Sequence, residues 1–446
     1  MKLKQAVTAA IIGTICAATL CGCDITDLAT ENLLRPPKTM GNEAAIEQLI
    51  ADSSNNKYTL KYPKSGSYRS AITMYDLDCD GTEEAVAFCR VGDDIARLHM
   101  LVMYSDSGEW KLSSDNITET TDIDCIDFAD VNGDGTLEIL AGFTTYTSSI
   151  NILTCYSYLD GKTQAITSGQ NYSSFYCGDF NSDDDCEIIT FLLYTAENEA
   201  AASMIDYNED KNSLYTKATV AMDPNVVKYT NITITSFDGV NGIVVDGSFS
   251  NEELTTQIIY YNTELSLLRN PLYRDKTENF TRRSLYILSA DIDKDSELEV
   301  PAVKKLPYPK GGSAENTADK IEWYGFSAED EKTSLKCTMI ADKNHNFALT
   351  VPKIWGGNAV TAVYGSDGAS IEFYEWGTTK LGSKLFEIRS FATSDWDMGT
   401  DSEDYVLISR NDTSAYALKN ENTDSVYALS DDEIKTAFTL LSEASI

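Results

Sequence analysis

Histidine is almost missing from this chain. Of 446 residues only two are histidines, His99 and His345. His99 lies in a strand-like run and His345 in an Asn-rich stretch, so histidine-dependent catalysis has few candidates. Basic residues are scarce as well, with 35 Lys and Arg against 70 Asp and Glu and a formal charge of −35. So acidic a surface repels nucleic acid and anionic lipid head groups, and neither is expected as a partner. It also attracts cations wherever carboxylates cluster. There is no GxSxG nucleophile motif, no CxxC pair and no Cys/His cluster of zinc-ligand spacing. After Cys23 seven cysteines remain, Cys79, Cys89, Cys125, Cys155, Cys177, Cys186 and Cys337. Their odd number and irregular spacing do not read as a disulfide framework. An exported protein usually pairs its thiols, so these are expected to act as small buried side chains in a weakly oxidising setting. Apart from Ala6–Leu20 there is no long apolar run, and nothing else is expected to cross a membrane.

That one run sits in an informative context. Lys2 and Lys4 precede about fifteen apolar residues, which is the layout of an export signal and too short for a comfortable span of about 20. Its end, Leu20-Cys21-Gly22-Cys23, resembles the bacterial lipobox, although Cys21 stands where Ala or Ser is commoner. The resemblance implies a signal peptide over residues 1–22, cleavage before Cys23, and lipidation (palmitate) of Cys23. Its alternative is an ordinary soluble secretion signal. Two acyl chains on Cys23 would hold the protein stably on the extracytoplasmic face of the cell membrane. Residues 23–41 are polar, contain Pro36-Pro37, and read as a tether.

With 42% hydrophobic and 10% aromatic residues, the remaining chain can build a sizeable core in two or three domains. A repeat runs through its middle. Four segments align: Asp76-x-Asp78-x-Asp80-Gly81-Thr82-x-Glu84, Asp130-x-Asn132-x-Asp134-Gly135-Thr136-x-Glu138, Asp179-x-Asn181-x-Asp183-Asp184-Asp185-x-Glu187, and Asp291-x-Asp293-x-Asp295-Ser296-Glu297-x-Glu299. The first three starts lie 54 and 49 residues apart, and the next gap of 112 is two periods. A degenerate copy, Ile234-Thr-Ser236-Phe237-Asp238-Gly239, fills it without the later carboxylates.

The acidic spacing has a physical reason. Calcium takes six to eight oxygens, and alternate residues of a tight loop turn inward together. Positions one, three and five offer side chains, position seven a carbonyl, and position nine a carboxylate. An EF-hand is excluded, because its twelfth position needs Glu and here holds Ala87, Ala141, Thr190 and Ala302. The residues after each loop are β-like, as in Ala85-Val-Ala-Phe88. Each period has room for four short strands, the pattern of a propeller blade. These units resemble the VCBS/FG-GAP repeats of calcium-binding β-propellers over roughly residues 69–343. The resemblance implies a mainly β fold: a β-propeller of about five four-stranded blades spanning 42–343, with up to four structural Ca2+ ions. Asp184 and Ser296 replace the usual Gly, so the loops at Asp76 and Asp130 are expected to bind most tightly and the unit at Asp238 to stay empty.

Residues 344–446 lack the repeat and read as a small C-terminal α+β domain. Strand-like runs begin at Phe347, Val360, Ser370, Lys384 and Tyr405. A capping box, Ser430-x-x-Glu433, opens a helix with Ile434, Phe438 and Leu441 inward. Two function classes remain open. One is a binding, adhesion or scaffold module for an extracellular protein or glycan. The other is an extracellular hydrolase or lyase acting on polysaccharide, for which no catalytic residue stands out. The binding module is favoured.

Overall fold

The computed structural model describes residues 42–441 apart from positions 95, 121, 146–149, 160, 168, 275–276, 357 and 400–401. The signal peptide, Cys23 and the tether lie outside the described residues. Among those described, no helix is long and apolar enough to cross a membrane. The fold is mainly β and divides into two compact units. One takes the chain up to Tyr62 with Ser70–Asp76 and Gly81–Glu119; the other takes Pro63–Arg69, Leu77–Asp80 and the chain from Thr120.

The first unit opens with helix α1 (Asn42–Ser53), followed by β1 (Tyr58–Lys61), β2 (Ile72–Tyr75), β3 (Glu84–Val91), β4 (Leu98–Asp106) and β5 (Glu109–Thr118). These strands form one antiparallel sheet in which β1 and β2 share a lane along β3. Ile46 and Ile50, one turn apart on α1, pack on Ala85, Ala87 and Cys89, alternate residues on one face of β3.

The second unit contains five antiparallel sheets among the described residues. The first is β6 (Asp122–Ala129), β7 (Glu138–Thr144), β8 (Asn151–Leu159) and a lane shared by β9 (Lys162–Ala165) and β10 (Gln170–Tyr172). The second is the meander β11 (Ser174–Gly178), β12 (Glu187–Leu192), β13 (Ala201–Asn208) and β14 (Ser213–Ala221). The third is the meander β15 (Lys228–Phe237), β16 (Val240–Ser248), β17 (Leu254–Asn262) and β18 (Leu267–Arg269). Then come β19 (Val300–Lys305), β20 (Asp319–Ser327), β21 (Lys332–Asp342) and β22 (Phe347–Thr350) in one sheet. The last holds β23 (Val360–Tyr364), β24 (Ser370–Trp376), β25 (Leu381–Ala392), β26 (Val406–Arg410) and β27 (Ser414–Asn420). A short helix, α2 (Thr393–Met398), lies between β25 and β26 in the chain.

Successive sheets share cores because both faces of their inner strands are apolar. Ile188 of β12 packs with Leu140, Leu153 and Cys155, whereas Ile189 and Phe191 on the opposite face pack with Ile243, Val245 and Ile259. One sheet further on, Val244 turns the other way and joins Phe237, Ile258, Val300 and Phe326. Burying each such side chain contributes about 1.5–3 kcal/mol, which is why β12 reads Glu-Ile-Ile-Thr-Phe-Leu rather than alternating with polar residues. First-lane residues behave differently. Residues of β6 and β11, with Ile234 of β15 and Ser65–Ser67, line a cavity of about 570 Å3.

The long connection from Asn270 to Glu299 is held by a fully buried polar cluster. Arg283 donates to Asp246 Oδ1 at 2.9 Å, to Thr256 Oγ1 at 3.0 Å and to the carbonyl of Ile287 at 2.7 Å. Ser289 closes the cluster by donating its N–H to Asp246 Oδ2 at 2.8 Å.

Two local expectations need correction. The helix opened by Ser430 keeps its capping box, but α3 (Asp431–Ala437) stops before Phe438. Phe438–Leu440 is instead a strand, β28, paired with β22, and Phe438 stacks on Phe347 at 4.9 Å between ring centres. The fifth repeat also lacks a full first strand; a single bridge, Ala290 to Glu299, stands in its place. The expected boundary at 343/344 falls in the turn between β21 and β22, which pair with Asp342 opposite Phe347.

Candidate metal-binding loops

The four acidic segments are loops of one conformation. Positions four and six have positive φ in each: Cys79 and Gly81, Gly133 and Gly135, Ser182 and Asp184, Lys294 and Ser296. Replacing Gly by Asp184 (φ 73°) or Ser296 (φ 75°) therefore keeps the shape, at roughly 1 kcal/mol of backbone strain. The first aspartate pins the turn. Asp130 accepts from Gly133 N at 2.8 Å and Gly135 N at 2.9 Å, Asp179 from Ser182 N at 2.6 Å, and Asp291 from Lys294 N at 2.6 Å and Ser296 N at 3.0 Å. Asp76 accepts from Gly81 N at 3.0 Å. These bonds make the loops Asx-type turns without any ion.

The ninth-position glutamates are buried; Glu84, Glu138 and Glu187 open second lanes, and Glu299 directly precedes β19. In three of them Oε2 accepts the N–H of position two, from Val131 at 2.9 Å, Phe180 at 2.9 Å and Ile292 at 3.0 Å. The other oxygen differs. Asn132 and Asn181 donate to Oε1 of Glu138 (2.9 Å) and Glu187 (2.6 Å). In the last loop the side chain of Asp293 has no N–H to give, and among the described residues the buried Oε1 of Glu299 has no hydrogen-bond partner. The buried Oδ1 of Asn181 has none either. Burial, reinforced by nearby carboxylates, pushes Glu138, Glu187 and Glu299 each up to about 7, against the backbone donors that work to lower them. Burial also acts to raise Asp134, but donors from Thr136 and Asn132 hold it below its ordinary value.

Carboxylates converge in two loops. Oxygens of Asp76, Asp78 and Glu84 lie within 4.8 Å of one another, and so do those of Asp291, Asp293 and Asp295. In the second group a cation is already close, since Lys336 Nζ is 3.2 Å from Asp295 and 3.8 Å from Asp293. Asp80 is exposed and gives its N–H to Asp78 at 3.3 Å. Asp183 accepts from Asp185 N at 3.1 Å.

Position seven behaves as the local pattern does not foretell. Thr136 donates to Asp134 at 2.6 Å, but Asp185 leans on the preceding loop, so close that a Cβ on Gly133 would meet its Oδ1 at 2.6 Å. Glu297 reaches the neighbouring sheet and accepts from Asp238 N at 3.0 Å. Asn241, unremarked in the sequence, donates to the carbonyl of Asp179 at 2.7 Å. At Asp238 the acidic loop is gone. Phe237 pairs with Val240, and Asp238-Gly239 form a two-residue turn with both φ positive. Asp238 Oδ2 accepts from Ala328 N at 3.1 Å.

The histidines serve as partners of carboxylates. His99 sits 2.9 Å from Asp115 and His345 sits 2.7 Å from Asp342. Trp396 packs on Phe391 at 5.4 Å, and Tyr374 donates to Glu372 at 2.8 Å, so these aromatics are half-buried.

No family model matches the chain, and no curated protein matches it. Among solved structures, it is similar to an exotype rhamnogalacturonan lyase, YesX, at 9% identity and a TM-score of 0.30, covering 74% of this chain and 73% of that one. It is also similar to a triple-arginine mutant of AofleA from Arthrobotrys oligospora, at 12% identity and a TM-score of 0.27, covering 74% and 85%. Likenesses this distant carry no argument about fold or function.

Proposed function

We propose that this chain is a membrane-anchored extracytoplasmic binding module whose repeats form a β-propeller of about five blades, stabilised by calcium in the acidic loops. The observation that carries the calcium reading is the buried Oε1 of Glu299, which has no hydrogen-bond partner among the described residues, in a loop where Asp291, Asp293 and Asp295 bring carboxylate oxygens together. Unmet buried acceptors of this kind are costly, and a hard cation satisfies them. The ring reading is supported by cores shared from sheet to sheet and by first lanes that border one cavity. The loop at Asp76 ranks first, with three converging carboxylates and a glycine at position six. At Asp130 and Asp179 the position-three amide must turn its oxygen inward, and at Asp291 the ion competes with Lys336.

Thermal melts test the reading. Millimolar calcium should raise the melting temperature over chelator, each site held at a hundredfold its Kd adding about 2.7 kcal/mol of stability. Asp130→Ala with Asp134→Ala should remove one site's share of that gain. Asp238→Ala should lower stability slightly through Ala328 and leave the calcium response unchanged. A melt that does not move between chelator and calcium reduces the loops to acidic turns. The anchor is tested separately: the mature protein should carry acyl chains on Cys23, and Cys23→Ser should be released or remain uncleaved. An unmodified Cys23 on the mature wild type refutes the anchor alone.

A further inference from the structure

The cavity of about 570 Å3 belongs wholly to the second unit, because Ser65 and Ser67 lie in the stretch Pro63–Arg69 that folds with it. Its size suits a small organic molecule. Two carboxylates line it, Asp124 and Asp127 of β6, and among the described residues no Lys, Arg or His does. Asp124 is fixed in place. Its Oδ2 accepts from the Tyr172 hydroxyl at 2.7 Å, its Oδ1 from Ser65 Oγ at 3.3 Å, and its carbonyl from Lys64 N at 2.7 Å. The Lys64 side chain pairs elsewhere, with Asp122 at 3.4 Å. Asp127 is the open carboxylate. Its Oδ1 accepts the N–H of Phe128 at 3.0 Å, and among the described residues no side chain donates to it or pairs with it. Although Asp127 is exposed to the cavity, enough protein surrounds it that burial pushes its carboxyl above the ordinary value. Phe175 and Tyr176 add rings to the wall, and Ser67 and Ser174 add hydroxyls.

We propose that this cavity binds a small organic ligand bearing a protonated primary amine, with Asp127 as its counter-ion. An anion would meet two carboxylates and no lining cation. A bare metal ion is poorly served too, since two carboxylates around so wide a space do not supply about six to eight close oxygens. A neutral ligand would leave the Asp127 charge desolvated and unpaired, a cost that an ammonium group removes. The ammonium carries three N–H donors and no acceptor. The wall complements it, because the hydroxyl protons of Tyr172 and Ser65 are already given to Asp124 and acceptors remain. Hydrogen bonds between two charged groups are the stronger kind, and ring faces attract a cation further. The ring or chain that carries the amine packs against Phe175 and Tyr176. A net charge of −35 draws cations toward the molecule before they bind. The site gives the binding module its ligand class and rests on that reading alone, not on the ring, the ions or the anchor.

The full chain in millimolar calcium is titrated by calorimetry with glucosamine, glucose, N-acetylglucosamine and cadaverine, at about pH 6.5, where amines are charged and carboxylates ionised. Glucosamine should bind, and the two uncharged sugars of the same ring should bind at least about tenfold more weakly. Cadaverine separates the sources. Binding of glucosamine alone marks an amino sugar, and binding of cadaverine marks the amine by itself; either upholds the site. Asp127→Asn should weaken amine binding about tenfold or more. Asp412→Asn, which removes an exposed charge far along the chain, should leave it unchanged. Failure of every amine to bind, or glucose binding as tightly as glucosamine, overturns the proposal. Equal losses from Asp127→Asn and Asp412→Asn overturn it as well, because the amine is then held by general acidity. The comparison of charged with neutral sugars uses the wild type, so it stands even where Asp127→Asn fails to fold. Failure of the site leaves the module reading intact; conversion of a bound amine to product keeps the site and overturns that reading instead.

Discussion

Glu138, Glu187 and Glu299 each keep one oxygen on a backbone N–H, yet burial lifts all three to about 7. Because the folded value lies above the unfolded one, the metal-free fold favours the protonated acid. That contribution is full below about pH 4.5 and is lost as pH rises through 7, at about 1.4 kcal/mol per pKa unit. In chelator, the chain should therefore melt higher at pH 5.5 than at pH 8. Glu138→Gln should shrink that difference and also remove part of the gain from calcium; an unchanged difference would show that this carboxylate is not the cause. Positions one, three, five and nine are legible in the sequence because regular spacing betrays side chains that share one loop. Position seven is not. Whether Asp185 and Glu297 turn to their own loop or to the next depends on neighbours 50 to 60 residues away, and no local pattern carries that.

Among the elements, the strands of residues 344–446 are legible at their starts: the runs expected from Phe347, Val360 and Ser370 begin at those residues, and those expected from Lys384 and Tyr405 begin at Leu381 and Val406. Apolar runs bounded by Gly, Asp and Asn announce strands because turn residues punctuate them. The sequence pattern over-extends the helix after Ser430 because Ile434, Phe438 and Leu441 fit helical spacing equally well, and only the stacking of Phe438 on Phe347 decides for a strand. Gly142, in the middle of β7, has a role the sequence hides. A Cβ there would lie 1.9 Å from the Tyr172 hydroxyl and 2.8 Å from Cys125 Sγ. That hydroxyl donates to Asp124 at 2.7 Å, so it is not free to swing away. Gly142→Ala should lower unfolding free energy by about 3 kcal/mol in a denaturant titration. Added to Tyr172→Phe it should cost at least about 1 kcal/mol less than the sum; strict additivity would place the clash elsewhere.

Across the molecule, the repeat announces how many acidic loops there are but not how the sheets stack. Opposite faces of β12 and β16 each serve a different core, and the Arg283–Asp246 cluster docks a connection that looks featureless in sequence. The missing loop of the Asp238 unit also has a consequence in time. Elsewhere, joining the first two strands means gathering several like charges into a nine-residue turn before any ladder bond forms. At Asp238-Gly239 the chain reverses in two residues, and strands of ten and nine residues can zip from Phe237 and Val240 outward. Closing so short a turn, with a single carboxylate in it, takes microseconds and carries little loop entropy. The hairpin β15–β16 should therefore be the nucleus onto which the flanking sheets condense. Val244→Ala should slow folding nearly in proportion to the stability it removes, whereas Leu140→Ala should mainly speed unfolding. Stopped-flow rates in which Leu140→Ala is the slower folder would reverse that order.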